Sequence, residues 1–123
     1  MATLTPTITL ASSDMNGDVL NLSSTDTLTI LGQITTKQVV VTTTSAIFAA
    51  SGGYTKSYVY LKNLSSTAAE IIEVETSSGS GKMFTLGAGE FTFFPWSSLV
   101  DLFADAAQGT PVLEVRIFQE SAA

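Results

Sequence analysis

Tyr58-Val59-Tyr60-Leu61-Lys62 decides how this chain is read. In an extended backbone successive side chains point to opposite faces, so Tyr58, Tyr60 and Lys62 lie on one side and Val59 and Leu61 on the other. That alternation, carried by β-branched and aromatic residues, fits a pleated, half-buried strand. The same rhythm continues on both sides. Leu4, Ile8 and Leu10 alternate with Thr3, Thr7 and Thr9, and Leu28 and Ile30 alternate with Thr27 and Thr29.

The pattern predicts strands near 3–10, 18–22, 27–31, 37–43, 55–62, 69–76, 82–86, 90–94 and 111–118. Turn signals separate them at Asn16-Gly17, Ser51-Gly52-Gly53, Ser77 to Gly81, Gly87-Ala88-Gly89 and Gly109-Thr110-Pro111. Only Ser97 to Ala107 carries a helical spacing, with Leu99, Leu102 and Phe103 at i, i+3 and i+4. Eight to nine short strands at this spacing make the expected class all-β, an antiparallel β-sandwich or jelly roll. A length of 123 residues suits one hydrophobic core. Residues 1–12 are threonine-rich and contain Pro6, which cannot donate to a central ladder. They are expected to form an extended N-terminal arm or an edge strand, with a single domain over 13–123. An arm of that kind is suited to adding a strand to a neighbouring chain.

Composition narrows the function classes. Charged residues make up 13% of the chain and hydrophobic ones 45%, with serine and threonine filling much of the rest. A neutral, hydroxyl-rich surface of this kind is expected to lie against other protein. The net charge of −6, with only Lys37, Lys56, Lys62, Lys82 and Arg116 as scattered basic residues, opposes nucleic-acid binding, which needs clustered cations. No apolar run approaches the roughly 20 residues of a membrane-spanning helix. The opening MATLTPTITL has neither the basic start nor the apolar core of a signal peptide, so nothing in it speaks for export.

The usual chemical signatures fail residue by residue. With no cysteine and no histidine, thiol nucleophiles, Ser-His-Asp triads and the usual transition-metal ligands are all missing. Asp14-Met15-Asn16-Gly17-Asp18 places oxygens at alternate positions, as a calcium loop does, but Val19 and Thr25 stand where the loop needs its glycine and its bidentate glutamate. Ser77-Ser78-Gly79-Ser80-Gly81-Lys82 ends like a phosphate loop, but Thr76 and Met83 occupy that motif's defining positions, which leaves a hairpin tip. Glu70, Glu73 and Glu75 are the densest acidic group. A glycosidase pair needs a sugar-sized cleft between its carboxyls, whereas strand neighbours of this kind are expected to be solvated and to repel unwanted edge pairing. Asn21-Leu22-Ser23 and Asn63-Leu64-Ser65 match the glycosylation sequon and, without a secretory signal, are taken as chance. No enzyme activity, metal or cofactor is expected.

The most aromatic stretch is Leu86-Gly87-Ala88-Gly89-Glu90-Phe91-Thr92-Phe93-Phe94-Pro95-Trp96. Phe91 and Phe93 share one face and are expected to enter the core, with Phe94 on the outward side and Trp96 beyond the proline. Large aromatics dominate interface hot spots, so Phe94 and Trp96 are candidate subunit contacts. Together with Leu4, Pro6, Ile8 and Leu10 of the arm they form the expected partner-binding set.

Three places carry a resemblance: Thr5-Pro6-Thr7-Ile8-Thr9-Leu10; Tyr58 to Asn63; and Leu86 to Trp96 followed by the terminal Val112-Leu113-Glu114-Val115-Arg116-Ile117-Phe118. In these the chain resembles a family of small phage-encoded virion structural proteins, several of which are head decoration (cement) proteins. The resemblance implies a β-sandwich made in the host cytoplasm and placed on the outer capsid surface. It also implies the major capsid protein or other virion proteins as partners, a homo-oligomer with a trimer favoured, and stabilisation of the shell by adhesion. It does not separate a head position from a tail, neck or fibre one. A carbohydrate-binding β-sandwich using Trp96, Tyr54, Tyr58 and Tyr60 is the alternative from another class.

Overall fold

In a computed structural model the protein is described over residues 2–14, 17, 19–52, 56–97 and 99–120, without the side chains of residues 32, 33 and 120. In chain order the strands are β1 (Ala2–Leu4), β2 (Thr7–Ser12), β3 (Leu20–Thr25), β4 (Leu28–Val40), β5 (Ala46–Ala49), β6 (Ser57–Asn63), β7 (Ile72–Ser77), β8 (Ser80–Leu86), β9 (Phe91–Trp96), β10 (Leu102–Ala106) and β11 (Val112–Glu120). They form a five-stranded sheet in the order β1-β4-β11-β6-β9, a four-stranded sheet β5-β10-β7-β8 and a two-stranded sheet β2-β3. Every pairing among the described residues is antiparallel.

The alternating stretch is β6, hydrogen-bonded on both sides, to β11 and β9. Its inward residues Val59 and Leu61 are fully buried. Val59 lies opposite Ile117 and Phe94, and Leu61 opposite Val115 and Thr92. One apolar cluster joins these residues to Leu113 and Trp96 of the same sheet and to Phe48, Ile72, Val74, Leu86, Leu102, Ala104 and Ala106 of the four-stranded sheet. The two larger sheets therefore share one core, each contributing every second residue.

The fold departs from expectation in four places, each with a physical reason. The stretch 3–10 is divided at Pro6: β1 closes the edge of the five-stranded sheet against β4, while β2 pairs with β3. The stretches 27–31 and 37–43 are not two strands: 28–31 and 37–40 belong to the single 13-residue strand β4, and 41–43 lie beyond its end. Its middle lacks the apolar alternation, and cross-strand bonding to β11, from Ile34 to Val40, continues the strand through it. Ala46–Ala49 was not expected as a strand, being short and alanine-flanked, yet it pairs with β10. Within 97–107 the described residues hold β10 and no helix. Leu102, Ala104 and Ala106 are buried with period two, while Leu99 is 69% exposed, so the i, i+3, i+4 spacing marks no helical face. Alanine favours a helix intrinsically, but pairing with β5 on one side and β7 on the other overrides it. The described residues thus hold eleven strands, where eight or nine were expected.

Where β6 ends, Asn63 is fully buried and makes a polar junction between the sheets. Its Nδ2 donates to the carbonyls of Glu70 (2.8 Å) and Leu86 (3.0 Å), and its Oδ1 accepts from the Ser65 N–H (3.0 Å). Its own N–H donates to the Glu90 carbonyl and its carbonyl accepts from the Gly89 N–H, both at 3.0 Å. Gly89 adopts the left-handed conformation this approach needs (φ 78°). Removing the side chain would strand two carbonyls and an N–H away from water. Asn63→Ala is expected to lower the free energy of unfolding by about 2–4 kcal/mol in urea titration, while Leu64→Ala at the exposed neighbour stays within about 0.5 kcal/mol.

Candidate functional site

Because β6 turns Val59 and Leu61 inward, Tyr58, Tyr60 and Lys62 face outward. The register with β9 and β11 fixes what joins them. Tyr58 lies opposite Pro95 and Phe118, Tyr60 opposite Phe93 and Arg116, and Lys62 opposite Phe91 and Glu114. The outer face of the five-stranded sheet is therefore lined with aromatics, Tyr58 buried, Tyr60, Phe93 and Phe118 half-buried and Phe91 exposed. Tyr58 and Phe93 stack with centroids 6.1 Å apart and rings 6° from parallel, and Tyr60 and Phe91 pair at 6.3 Å. The Lys56 ammonium sits 5.0 Å over the Tyr58 ring, a favourable cation–π position. Phe91 at the sheet edge is 67% exposed.

Two shallow clefts cross this surface. One, of about 300 Å³, runs between Pro6 and Ile8 on one side and Tyr58, Phe93 and Pro95 on the other. The second, of about 350 Å³, is lined by Leu4, Pro6, Tyr60, Phe93, Phe118 and the Glu114–Arg116 pair. Pro6 and Phe93 belong to both. The Arg116 guanidinium donates to Glu114 at 3.0 Å, which places a paired charge among the rings.

Of the residues expected to bind a partner, Leu4, Pro6 and Ile8 meet the aromatic surface. Leu10 lies farther out, opposite Leu22 on the β2–β3 hairpin, and both are exposed. Phe94 and Trp96 face the other way. Trp96 is only 6% exposed, its indole N–H donates to the Val100 carbonyl at 3.1 Å, and Phe94 packs against the core edge-on to Phe84. The outward rings of β9 are Phe91 and Phe93, the reverse of the expected facing. Both faces of this stretch are apolar, so its own pattern carries no direction; pairing with β6 supplies it. Sequence reasoning missed Phe91, Phe93 and Phe118 as surface residues. The signal available was the tyrosine side of β6, next to which they are paired. A carbohydrate platform centred on Trp96 is not built, and Tyr54 lies outside the described residues.

The acidic group is rearranged as well. Glu70 stands apart, bracing loops: it accepts from the Ser65 hydroxyl (2.5 Å) and the Thr110 N–H (3.2 Å). Glu73 and Glu75 lie on the outer face of the four-stranded sheet, on β7 between β10 and β8 and not at an edge. Opposite Glu73 is Asp105 of β10, and carboxylate oxygens of Glu73, Glu75 and Asp105 all lie within 4.8 Å of one another. Glu75 is 0% exposed, contrary to the expectation of solvated neighbours. Its Oε2 accepts weakly from the Ser45 hydroxyl at 3.4 Å, while its Oε1 and Asp105 Oδ1 are buried and find no hydrogen-bond partner among the described residues. Lys82 of β8 bonds Glu73 Oε2 at 2.8 Å.

These neighbours pull the carboxyls apart. Lys82 holds Glu73 below its usual 4.5. Loss of solvation, then hydrogen bonding with Glu73 and the negative charges of Glu75 and Glu73, push Asp105 up to about 6. The Gly81-Lys82 stretch belongs to the β7–β8 hairpin, with Ser77 opposite Ser80 across its tip. Met15, Asn16 and Asp18 of the calcium-like loop lie outside the described residues. The sequon Asn63 is sealed in by its own hydrogen bonds. No protein family, curated protein or solved structure matches the chain.

Asp105 thus holds its proton more tightly in the folded chain than in the unfolded one. From about pH 4 to 6 the unfolded chain releases this proton while the folded chain keeps it, so folding loses stability as pH rises through that window. Glu73 acts oppositely, adding stability above its usual 4.5 that is lost as pH falls. In metal-free buffer, the melting temperature of Asp105→Asn relative to wild type is expected to climb between about pH 4 and 6 and then level off. A difference that stays flat across that range contradicts the assignment.

Proposed function

We propose that this chain is a non-enzymatic structural protein of a phage particle: a capsid decoration (cement) protein that binds the outer head surface and stabilises the shell. One observation carries the adhesive part of this reading, the aromatic outer face of the five-stranded sheet with Phe91 largely exposed. Contiguous apolar surface of this kind marks contact with another macromolecule, and aromatics with a neighbouring arginine are the residue types that anchor protein interfaces. The resemblance at Thr5–Leu10, at Tyr58–Asn63, and at Leu86–Trp96 with Val112–Phe118 supplies the virion setting. In this reading the two larger sheets are the layers of a sandwich, the first twelve residues its arm-like border, and the partner is the major capsid protein or another virion protein. Copies assemble, as trimers or another homo-oligomer, across junctions between capsid subunits. Each copy buries a modest area, and the shell expands only by breaking many such contacts together.

A second reading draws on the pairing of half-buried Tyr60 with exposed Phe91, near Glu114 and Arg116, an arrangement of rings with adjacent polar groups that suits stacking against a sugar. Trp96, being buried, has no part in it.

Purified wild type is expected to saturate heads of the particle that encodes it and to raise their melting temperature. Phe91→Ser with Tyr60→Ser should weaken that binding by roughly tenfold or more, as loss of hot-spot aromatics does, while the free protein's secondary structure is retained. Wild type that binds tails or necks, or that ignores the particle and selects glycans on an array, overturns the head assignment.

A further inference from the structure

We propose that Glu73, Glu75 and Asp105, on the outer face of the four-stranded sheet, form a calcium-binding site. The site lies on the opposite sheet from the aromatic face and does not depend on its role.

Two adjacent strands supply the ligands, β7 through Glu73 and Glu75 and β10 through Asp105. Their oxygens converge within 4.8 Å. Calcium binds oxygens at about 2.3–2.6 Å, so two ligands on opposite sides of one ion stand roughly 4.6–5.2 Å apart. The cluster lies within that span, so its three oxygens can reach one calcium ion together. Magnesium, at about 2.0–2.1 Å and with strict octahedral demands, keeps several of its waters and is less suited to an all-carboxylate, partly enclosed cluster. The donor set is all carboxylate, the hard-oxygen chemistry that calcium takes and zinc or copper does not favour.

A second observation points to a missing ligand. Glu75 is fully enclosed, turned into the cluster, and its Oε1 has no donor among the described residues; Asp105 Oδ1 is in the same condition. A buried carboxylate without a donor is strongly unfavourable unless a proton or a cation completes it. Lys82 does not complete it. Its ammonium bonds Glu73, and its side chain is 54% exposed, free to swing outward when a dication arrives. Three carboxylates against one ammonium leave net negative charge for the ion. Glu73 gives it a path from solvent, its side chain being 23% exposed.

The test is calorimetric titration of calcium chloride, and in parallel magnesium chloride, into the chelator-stripped full chain near neutral pH, with thermal melts alongside. One calcium per chain should bind saturably and more tightly than magnesium, and the melting temperature should rise with calcium concentration. Glu75→Gln and Asp105→Asn should each weaken calcium by roughly tenfold or more, since affinity follows ligand charge. Lys82→Gln should tighten it by removing the competing ammonium, and Phe91→Ser should leave it unchanged. Absence of saturable calcium binding by wild type, equal or tighter magnesium binding, or calcium affinity indifferent to both Asp105→Asn and Lys82→Gln overturns the proposal. Should Glu75→Gln fail to fold, those last two variants, at partly exposed positions, still decide it.

Discussion

Asn63 sits where the chain leaves the five-stranded sheet, and both its amide N–H groups reach carbonyls that belong to the run into β7 and to the end of β8. Three side-chain bonds and two backbone bonds converge on this one buried residue. Hydrophobic attraction between two sheets is non-directional and tolerates sliding. A fully satisfied buried amide does not, because a shift in either sheet strands its partners. Anchoring β6 at its last residue fixes which of its side chains look inward. Through the pairings with β9 and β11 it then fixes the same for Phe91–Trp96 and for Val112–Phe118.

The two outer faces that result differ in chemistry. The five-stranded sheet shows rings, two aliphatic corners at Leu4 and Pro6, and a self-neutralised Glu114–Arg116 pair. The four-stranded sheet shows three carboxylates and one lysine drawn together. A core built from every second residue leaves both outer faces free to vary. Here one is suited to apolar contact and the other gathers charge, so the same domain has two unlike sides to offer.

Period-two alternation was enough to read the class, since Val59 and Leu61 against Tyr58 and Tyr60 admit no helical face. It also found most of the pairing segments. It failed where a strand is held by its neighbours and not by its own pattern. The middle of β4 is polar on both sides yet bonded along β11, and β10 is alanine-rich yet clamped between β5 and β7. Facing could not be read for Phe91–Trp96 because both sides of that run are apolar; only the register with β6 distinguishes them. The acidic site was half visible. Glu73 and Glu75 are two apart on one face, but Asp105 joins them solely through the β7–β10 ladder, a pairing between segments distant in sequence. The burial of Glu75 is likewise a property of what packs beside it.

Pro6 lets one N-terminal segment serve two masters. Up to Leu4 the chain is stitched into the main sheet, and from Thr7 it belongs to a ribbon that hydrogen-bonds to no other sheet among the described residues. A lone two-stranded ribbon has little stability of its own, and this one leaves Ile8, Leu10 and Leu22 uncovered along one side. Its base is fastened by the Asp26 N–H to the Pro6 carbonyl, beside the cleft that Pro6 and Ile8 border. Among the described residues no ladder bond of the two larger sheets runs through that corner. The ribbon thus forms one wall of a cleft whose opposite wall, Tyr58, Phe93 and Pro95, belongs to the five-stranded sheet, with Lys56 beside it.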